Sequence, residues 1–184
     1  MTEETLPRTE FAAPHDGCLI KVSHQHVLKR VLAGYVLDNV ILTDVVIKEL
    51  LEFLESDQVE KRQFAARNLR DSSPALTLTA LIKALDREDD AFTAGILISA
   101  LGSLKRREAV KVIQKWVPRA DEGFVAQNIL DSYLQIWTDT QCEKDKGDQF
   151  CYLMHQIITS FTESINPLVA AEALRLTEIL TWHD

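Results

Sequence analysis

Cysteine and glycine are both scarce in this chain, and neither is arranged where chemistry would require it. The three cysteines, Cys18, Cys142 and Cys151, are odd in number and lack a C-x-x-C spacing. That pattern argues against a zinc ribbon and offers no disulfide framework, so a reducing compartment, the cytoplasm, is the expected location. The six glycines are scattered. Without a G-x-x-x-x-G-K or G-x-G-x-x-G run there is no loop to cradle phosphates, and without G-x-S-x-G there is no frame for a serine nucleophile. No catalytic residue, cofactor or metal is therefore assigned, and the reading leans away from an enzyme. Long hydrophobic runs are missing too. Val31 to Leu54 is the most apolar stretch, but Asp38, Asp44, Lys48 and Glu49 interrupt it, and nothing nears the ~18 residues that span a bilayer. The first residues, Met-Thr-Glu-Glu-Thr-Leu-Pro, are acidic and lack the apolar core of a secretory signal.

Positive charge is also in short supply. The formal net charge is −8, which disfavours nucleic acid, whose binding draws affinity from Lys and Arg displacing counterions, and equally an anionic membrane surface. The expected partner is another protein, and the charge steers the chain toward a basic one. Oligomeric state is not legible.

What is present is helical periodicity, repeated. The chain has 184 residues, enough for one domain that buries roughly two-thirds of its unfolded surface. Laying residues 59 to 86 over 91 to 118, a shift of 32, pairs Leu69 with Leu101, Leu78 with Val110, Leu81 with Ile113 and Leu85 with Val117. A further shift puts Phe124 on Phe92, Ile129 on Leu97 and Tyr133 on Leu101. Each copy reads as helix, short polar turn, helix: Gln58 to Arg70 with Pro74 to Asp86, then Asp90 to Leu104 with Lys105 to Val117, then Glu122 to Trp137 opening a third. Asp57 followed by Glu60 predicts a capping box, while Ser73-Pro74 and Asn166-Pro167 each offer an N-cap followed by proline at the first helical position. Beyond a polar loop, Thr138 to Gly147, helices are expected from about Asp148 to Glu163, with Phe150, Leu153, Met154, Ile157, Ile158 and Phe161 inward, and from Pro167 to Trp182. These two would cap the stack.

Phe64-Ala65-Ala66-Arg67-Asn68-Leu69, a turn, and Ala75-Leu76-Thr77-Leu78-Thr79-Ala80-Leu81-Ile82-Lys83-Ala84-Leu85-Asp86 resemble a HEAT repeat of the short bacterial type. Ser99-Ala100-Leu101-Gly102 with Glu108-Ala109-Val110 is similar. The resemblance covers about residues 42–137 and implies an all-α fold, a short HEAT-like α-solenoid of antiparallel helix pairs. It divides the chain into an extended N-terminal arm, 1–17, and a single helical domain, 18–184, whose capping helices occupy 148–182. By analogy such stacks serve as adaptors, scaffolds, inhibitors, immunity proteins or chaperones that bind another protein. Two alternatives share the architecture: a tetrapyrrole- or small-ligand-handling protein of the bilin-lyase kind, and a nucleic-acid-binding protein of the alkylation-repair kind, against which the charge counts.

Residues 18–47 stay open between two readings. One is a helix from Ser23 with Val27, Leu28, Val31, Leu32, Tyr35 and Val36 on one face. The other is a small β element, because residues 33–37, 38–42 and 43–47 are similar at a period of five. The remaining candidates for chemistry are few. His15, Cys18, His24 and His26 are imidazole and thiolate groups of the kind that bind zinc, but their spacing matches no known site, and His24 and His26 would diverge on a helix. Arg107, Lys111 and Lys115, four apart, form a basic stripe that is either a docking strip or a solvated face. Asp89 and Asp90 belong to an acidic turn between repeats, suited either to capping and solvation or to contact with a cation or a basic partner. Trp116, Trp137 and Trp182 end helices, where an amphipathic ring packs at the core edge or anchors an interface.

Overall fold

The computed structural model describes residues 44–120, 123–140 and 149–180. The N-terminal arm, the His15/Cys18/His24/His26 group, most of the 18–47 segment, the loop after residue 140 and Trp182 lie outside the described residues. Within them the chain is all-α, with eight α-helices packed on one another: α1 (Asp44–Leu54), α2 (Val59–Leu69), α3 (Pro74–Arg87), α4 (Ala91–Ser103), α5 (Val110–Gln114), α6 (Gly123–Thr140), α7 (Gln149–Ser160) and α8 (Pro167–Ile179). Three 3-10 turns, Arg107–Ala109, Val117–Arg119 and Phe161–Glu163, join or extend them. Where the five-residue pattern of the sequence reaches the described residues, at 44–47, the backbone is helical. No described helix is long and apolar enough to cross a membrane.

The helix starts separate the capping signals that work from those that only look right. Asn166 caps α8, its Oδ1 accepting from the backbone N–H groups of Leu168 at 3.0 Å and Val169 at 3.4 Å, with Pro167 next. Asp90 caps α4 by accepting from the Thr93 N–H at 2.7 Å. Ser73 sits at the start of α3 before Pro74, but its side chain makes no cap; the Thr77 hydroxyl instead donates to the Ser73 carbonyl at 3.1 Å. The capping box at Asp57 does not form. Gln58 is the N-cap residue of α2 and carries no side-chain cap bond, while the Asp57 carbonyl accepts from Arg62 at 3.1 Å.

The helix expected from Lys105 to Val117 is the main local correction. Only Val110–Gln114 is α-helical, flanked by 3-10 turns. Lys105 has φ of 54°, in the left-handed region, so the chain reverses there and cannot run on as a helix. At the far end Pro118 falls in the second 3-10 turn, Val117–Arg119, which is where the helical hydrogen bonds stop. Of the apolar positions Val110, Ile113 and Val117 on this segment, the first two are buried and Val117 is partly covered.

Contacts between helices run in two rows. The even helices touch in succession, α2 to α4, α4 to α6 and α6 to α8, and on the other side α1 touches α3 and α3 touches α5. Between rows, α1 packs on α2, α3 on α4 and α7 on α8. Positions that the 32-residue shift makes equivalent are buried together: Leu69, Leu101 and Tyr133 in one set, Leu81 and Ile113 in another, Leu97 and Ile129 in a third. Helix α4 lies centrally and carries no charged residue, AFTAGILISALGS, nine of its thirteen positions being buried. A helix apolar on every side is one enclosed on most of them. The α4–α6 contact is the most extensive among the described helices, and it is close. A Cβ on Gly102 would stand 2.6 Å from the Ser132 Cα, and the Ser132 hydroxyl donates to the Ile98 carbonyl at 2.9 Å in the interior.

At the C-terminal side the inward set on α7 is Cys151, Met154, Ile157 and Ile158, followed by Phe161, while Phe150 and Leu153 are only partly covered. Cys151 is disulfide-bonded, its partner lying outside the described residues. This departs from the expectation of free thiols, because cysteine spacing reports metal motifs well and pairing hardly at all.

Two measurements check these features. Gly102→Ala must force α4 and α6 apart, since the obstacle is backbone; a loss of about 1–3 kcal/mol is expected in urea unfolding, and an unchanged midpoint would mean the helices are not so close. Thiol titration of the denatured, unreduced chain is expected to return one thiol rather than the three the sequence holds.

Candidate functional site

Two concavities mark the described surface. The larger, about 450 Å³, lies where the loops α1–α2 and α3–α4 meet and is lined by Glu55, Asp57, Arg62, Arg87, Glu88 and Asp90 among others. Its charges are consumed internally. Arg62 straddles Glu88 with both prongs, Nε to Oε2 at 2.8 Å and Nη2 to Oε1 at 2.9 Å, and the Glu88 side chain is only 3% exposed. The Arg62 Nη1 also donates to the carbonyls of Ser56 and Asp57. Glu88 in turn accepts from the backbone N–H groups of Asp89 and Asp90. Arg87 pairs with Glu55 at 2.6 Å, and Asp90 is held by Thr93. Burial pushes the Glu88 carboxyl up, but the Arg62 guanidinium and the two backbone N–H groups outweigh it and hold the group below its ordinary range. The constellation is a clamp joining α2 to the α3–α4 loop. No group of three or more His, Cys, Asp or Glu able to hold a metal occurs among the described residues.

The second cleft, about 300 Å³, crosses the row of even helices. Ala66 on α2 and Ile96 and Ala100 on α4 make its floor; Arg67 and Arg70 stand on the α2 wall, Phe92 and Ser99 on α4, Phe124 and Asn128 on α6. Phe92 and Phe124 stack across the helices with ring centroids 4.8 Å apart and planes 23° from parallel. Gly95 is what brings Phe124 in: a Cβ there would stand 2.4 Å from the ring, so the phenyl lies directly on the α4 backbone. Although stacked, the rings remain 47% and 42% exposed. Arg67 has no hydrogen-bond or ion-pair partner among the described residues, and Arg70 has only its neighbour Asp71 at 3.7 Å, both side chains being exposed.

The sequence candidates are dispersed by comparison. Trp116 is 3% exposed with the Arg119 guanidinium 4.1 Å above its ring, so it is a core residue and not a surface anchor. Lys115 pairs with Asp86. Arg107 lies 4.8 Å over the Phe150 ring, and Lys111 is exposed on α5. The Asp89 carbonyl accepts from Arg119, and Asp90 caps α4. Lys111 thus lies on a short helix that Arg107 and Lys115 flank. Sequence reasoning passed over Phe92, Phe124, Arg67 and Arg70. Two signals for them were available: phenylalanines 32 residues apart, which the internal shift superposes, and a central helix devoid of charge.

Compared with family models, with curated proteins and with solved structures, the chain matches none. The class defined by the fold is an all-helical domain.

Glu88→Gln leaves Arg62 largely buried without its counter-charge, and a loss of about 2–3 kcal/mol is expected, Arg62 being partly wetted. Because the native carboxyl is held below its ordinary value, the stabilisation is complete above pH 4.5 and disappears as pH falls through the lowered value. Urea midpoints measured from pH 7 to pH 2 should therefore fall less steeply in the variant; parallel curves would remove Glu88 from the acid response.

Proposed function

We propose that this chain is a non-enzymatic protein-interaction module, a short HEAT-like α-solenoid that holds another protein on the surface of its even-numbered helices. The contact order supports the solenoid: α2, α4, α6 and α8 follow one another in one row and α1, α3 and α5 in the other. The 32-residue shift also superposes Phe92 on Phe124, the two rings that stack across adjacent helices. Equivalent positions meet, as they must when like units pile up with a constant step.

One observation carries the binding reading. Two stacked phenylalanines stand nearly half exposed over an apolar floor, where a monomeric surface gains nothing from them. Aromatic side chains held rigid in a partly desolvated cleft are the groups that dominate protein interfaces. The adaptor, scaffold and inhibitor roles all use such a surface.

The test is a pull-down with the tagged chain from its native cells at low and high salt, run beside the Phe92→Ser/Phe124→Ser double variant. A stoichiometric protein captured by the wild type, and reduced at least about tenfold on a variant of unchanged helicity, is the expected outcome. Equal capture by both would move the interface elsewhere. A coloured small molecule recovered with no protein would replace this reading with the tetrapyrrole one.

A further inference from the structure

We infer that the cleft across α2, α4 and α6 takes an acidic peptide segment, with one apolar side chain on the Phe92–Phe124 rings and carboxylates on Arg67 and Arg70. The inference rests on the interaction-module reading and specifies the chemistry of the partner. The net charge of −8 had pointed to a basic partner. Over the described residues, however, Lys and Arg are nearly as numerous as Asp and Glu, so much of that negative charge lies elsewhere in the chain. At the cleft itself the sign reverses: the two charged groups that line it among the described residues are both arginines. Most other described arginines are committed, Arg62 to Glu88, Arg87 to Glu55, Arg119 to the Asp89 carbonyl and Arg175 to Glu172. Arg67 on α2 and Arg70, the residue that ends it, stand three residues apart without a carboxylate at hydrogen-bond distance among the described residues. Guanidinium groups bind carboxylates in two-pronged fashion, and such pairs strengthen beside an apolar surface that thins the water around them.

The same geometry fixes the orientation of the guest. Arg67 and Arg70 stand on the α2 wall of the cleft, while Phe124 stands on the α6 wall. Acidic residues of the guest therefore lie toward α2 and its apolar side chain toward α6. With Ser99 and Asn128 the only polar uncharged side chains lining the cleft among the described residues, specificity comes from this one apolar and one acidic requirement.

Fluorescein-labelled synthetic dodecapeptides test it, each titrated with the full chain and read by anisotropy at low and physiological salt. One has a central phenylalanine flanked by glutamates and aspartates; a second replaces the acids by lysine, and a third replaces the phenylalanine by serine. The acidic phenylalanine peptide is expected to bind at least about tenfold more tightly than either control, and more weakly as salt rises. Arg67→Glu/Arg70→Glu, at exposed positions where substitutions leave the fold intact, should weaken it at least about tenfold. Lys111→Glu, away from the cleft, should change it less than about twofold. No binding of the acidic peptide, equal binding of the lysine peptide, or indifference to the arginine reversal would overturn the inference. So would preference for a thymidine oligonucleotide, whose bases would stack on the same rings. If the peptide arm fails while the pull-down still loses its protein on the phenylalanine variant, the interaction module stands and only its partner's chemistry is wrong. If both fail, both readings fall.

Discussion

Helices α4 and α6 meet where neither has a side chain to spare. Gly102 faces the backbone of Ser132, and the Ser132 hydroxyl turns back onto the Ile98 carbonyl of the opposing helix. Most of the architecture follows from that approach. Close axes leave no room for large side chains between α4 and α6 at this level, so bulk is displaced to either side. Leu97, Leu101, Ile129 and Tyr133 fill the interior. Phe92 and Phe124 are pushed to the outer edge of the same seam, where Gly95 again supplies the missing volume. The exposed aromatic pair is thus the outward counterpart of the inward core, produced by one short interhelical distance.

The neighbouring interface is held by different means. Between α2 and the α3–α4 loop the chain uses charge, with Glu88 enclosed by Arg62 and two backbone N–H groups. A buried ion pair is weak evidence of net stability, because desolvation offsets much of the attraction, but its geometry is demanding and it fixes which loop meets which helix. Shape complementarity on one side of α4 and a directional clamp on the other set the register of the row. Tyr133 shows the limit of this packing. Its ring is wholly buried, its hydroxyl has no hydrogen-bond partner among the described residues, and burial pushes its pKa upward. Leucine stands 64 and 32 residues earlier, at Leu69 and Leu101, where no such polar atom arises.

Much of the fold was legible because its determinants are local and periodic. The apolar spacing on α3, α4 and α6 gave the helices nearly to the residue, and Asn166-Pro167 and Asp90 gave true caps. What failed depended on backbone choices that composition does not encode. Lys105 adopts a left-handed conformation that nothing about lysine announces, and α5 shrank accordingly. Asp57 and Glu60 have the right spacing for a capping box, but the chain enters α2 one residue later, with Gln58 as the N-cap. The site was harder still. Periodicity marks residues as apolar without saying whether a ring ends inside or outside the seam, and a free arginine differs from a paired one only through residues distant in sequence.

The composition of α4 bears on how the molecule comes to be folded. Linear stacks of helices ordinarily fray from their ends, each unit tolerably soluble when it parts from the next. Here the segment least able to face water is in the middle, thirteen residues without a charge, enclosed by α2, α3 and α6. A chain still lacking α6 would present Gly95, Ile98 and Gly102 as an open greasy furrow, so forms in which α4 is not yet covered are the adhesive ones. The domain is held less like a string of separable units than like an arch, whose sides rest on one enclosed central stone.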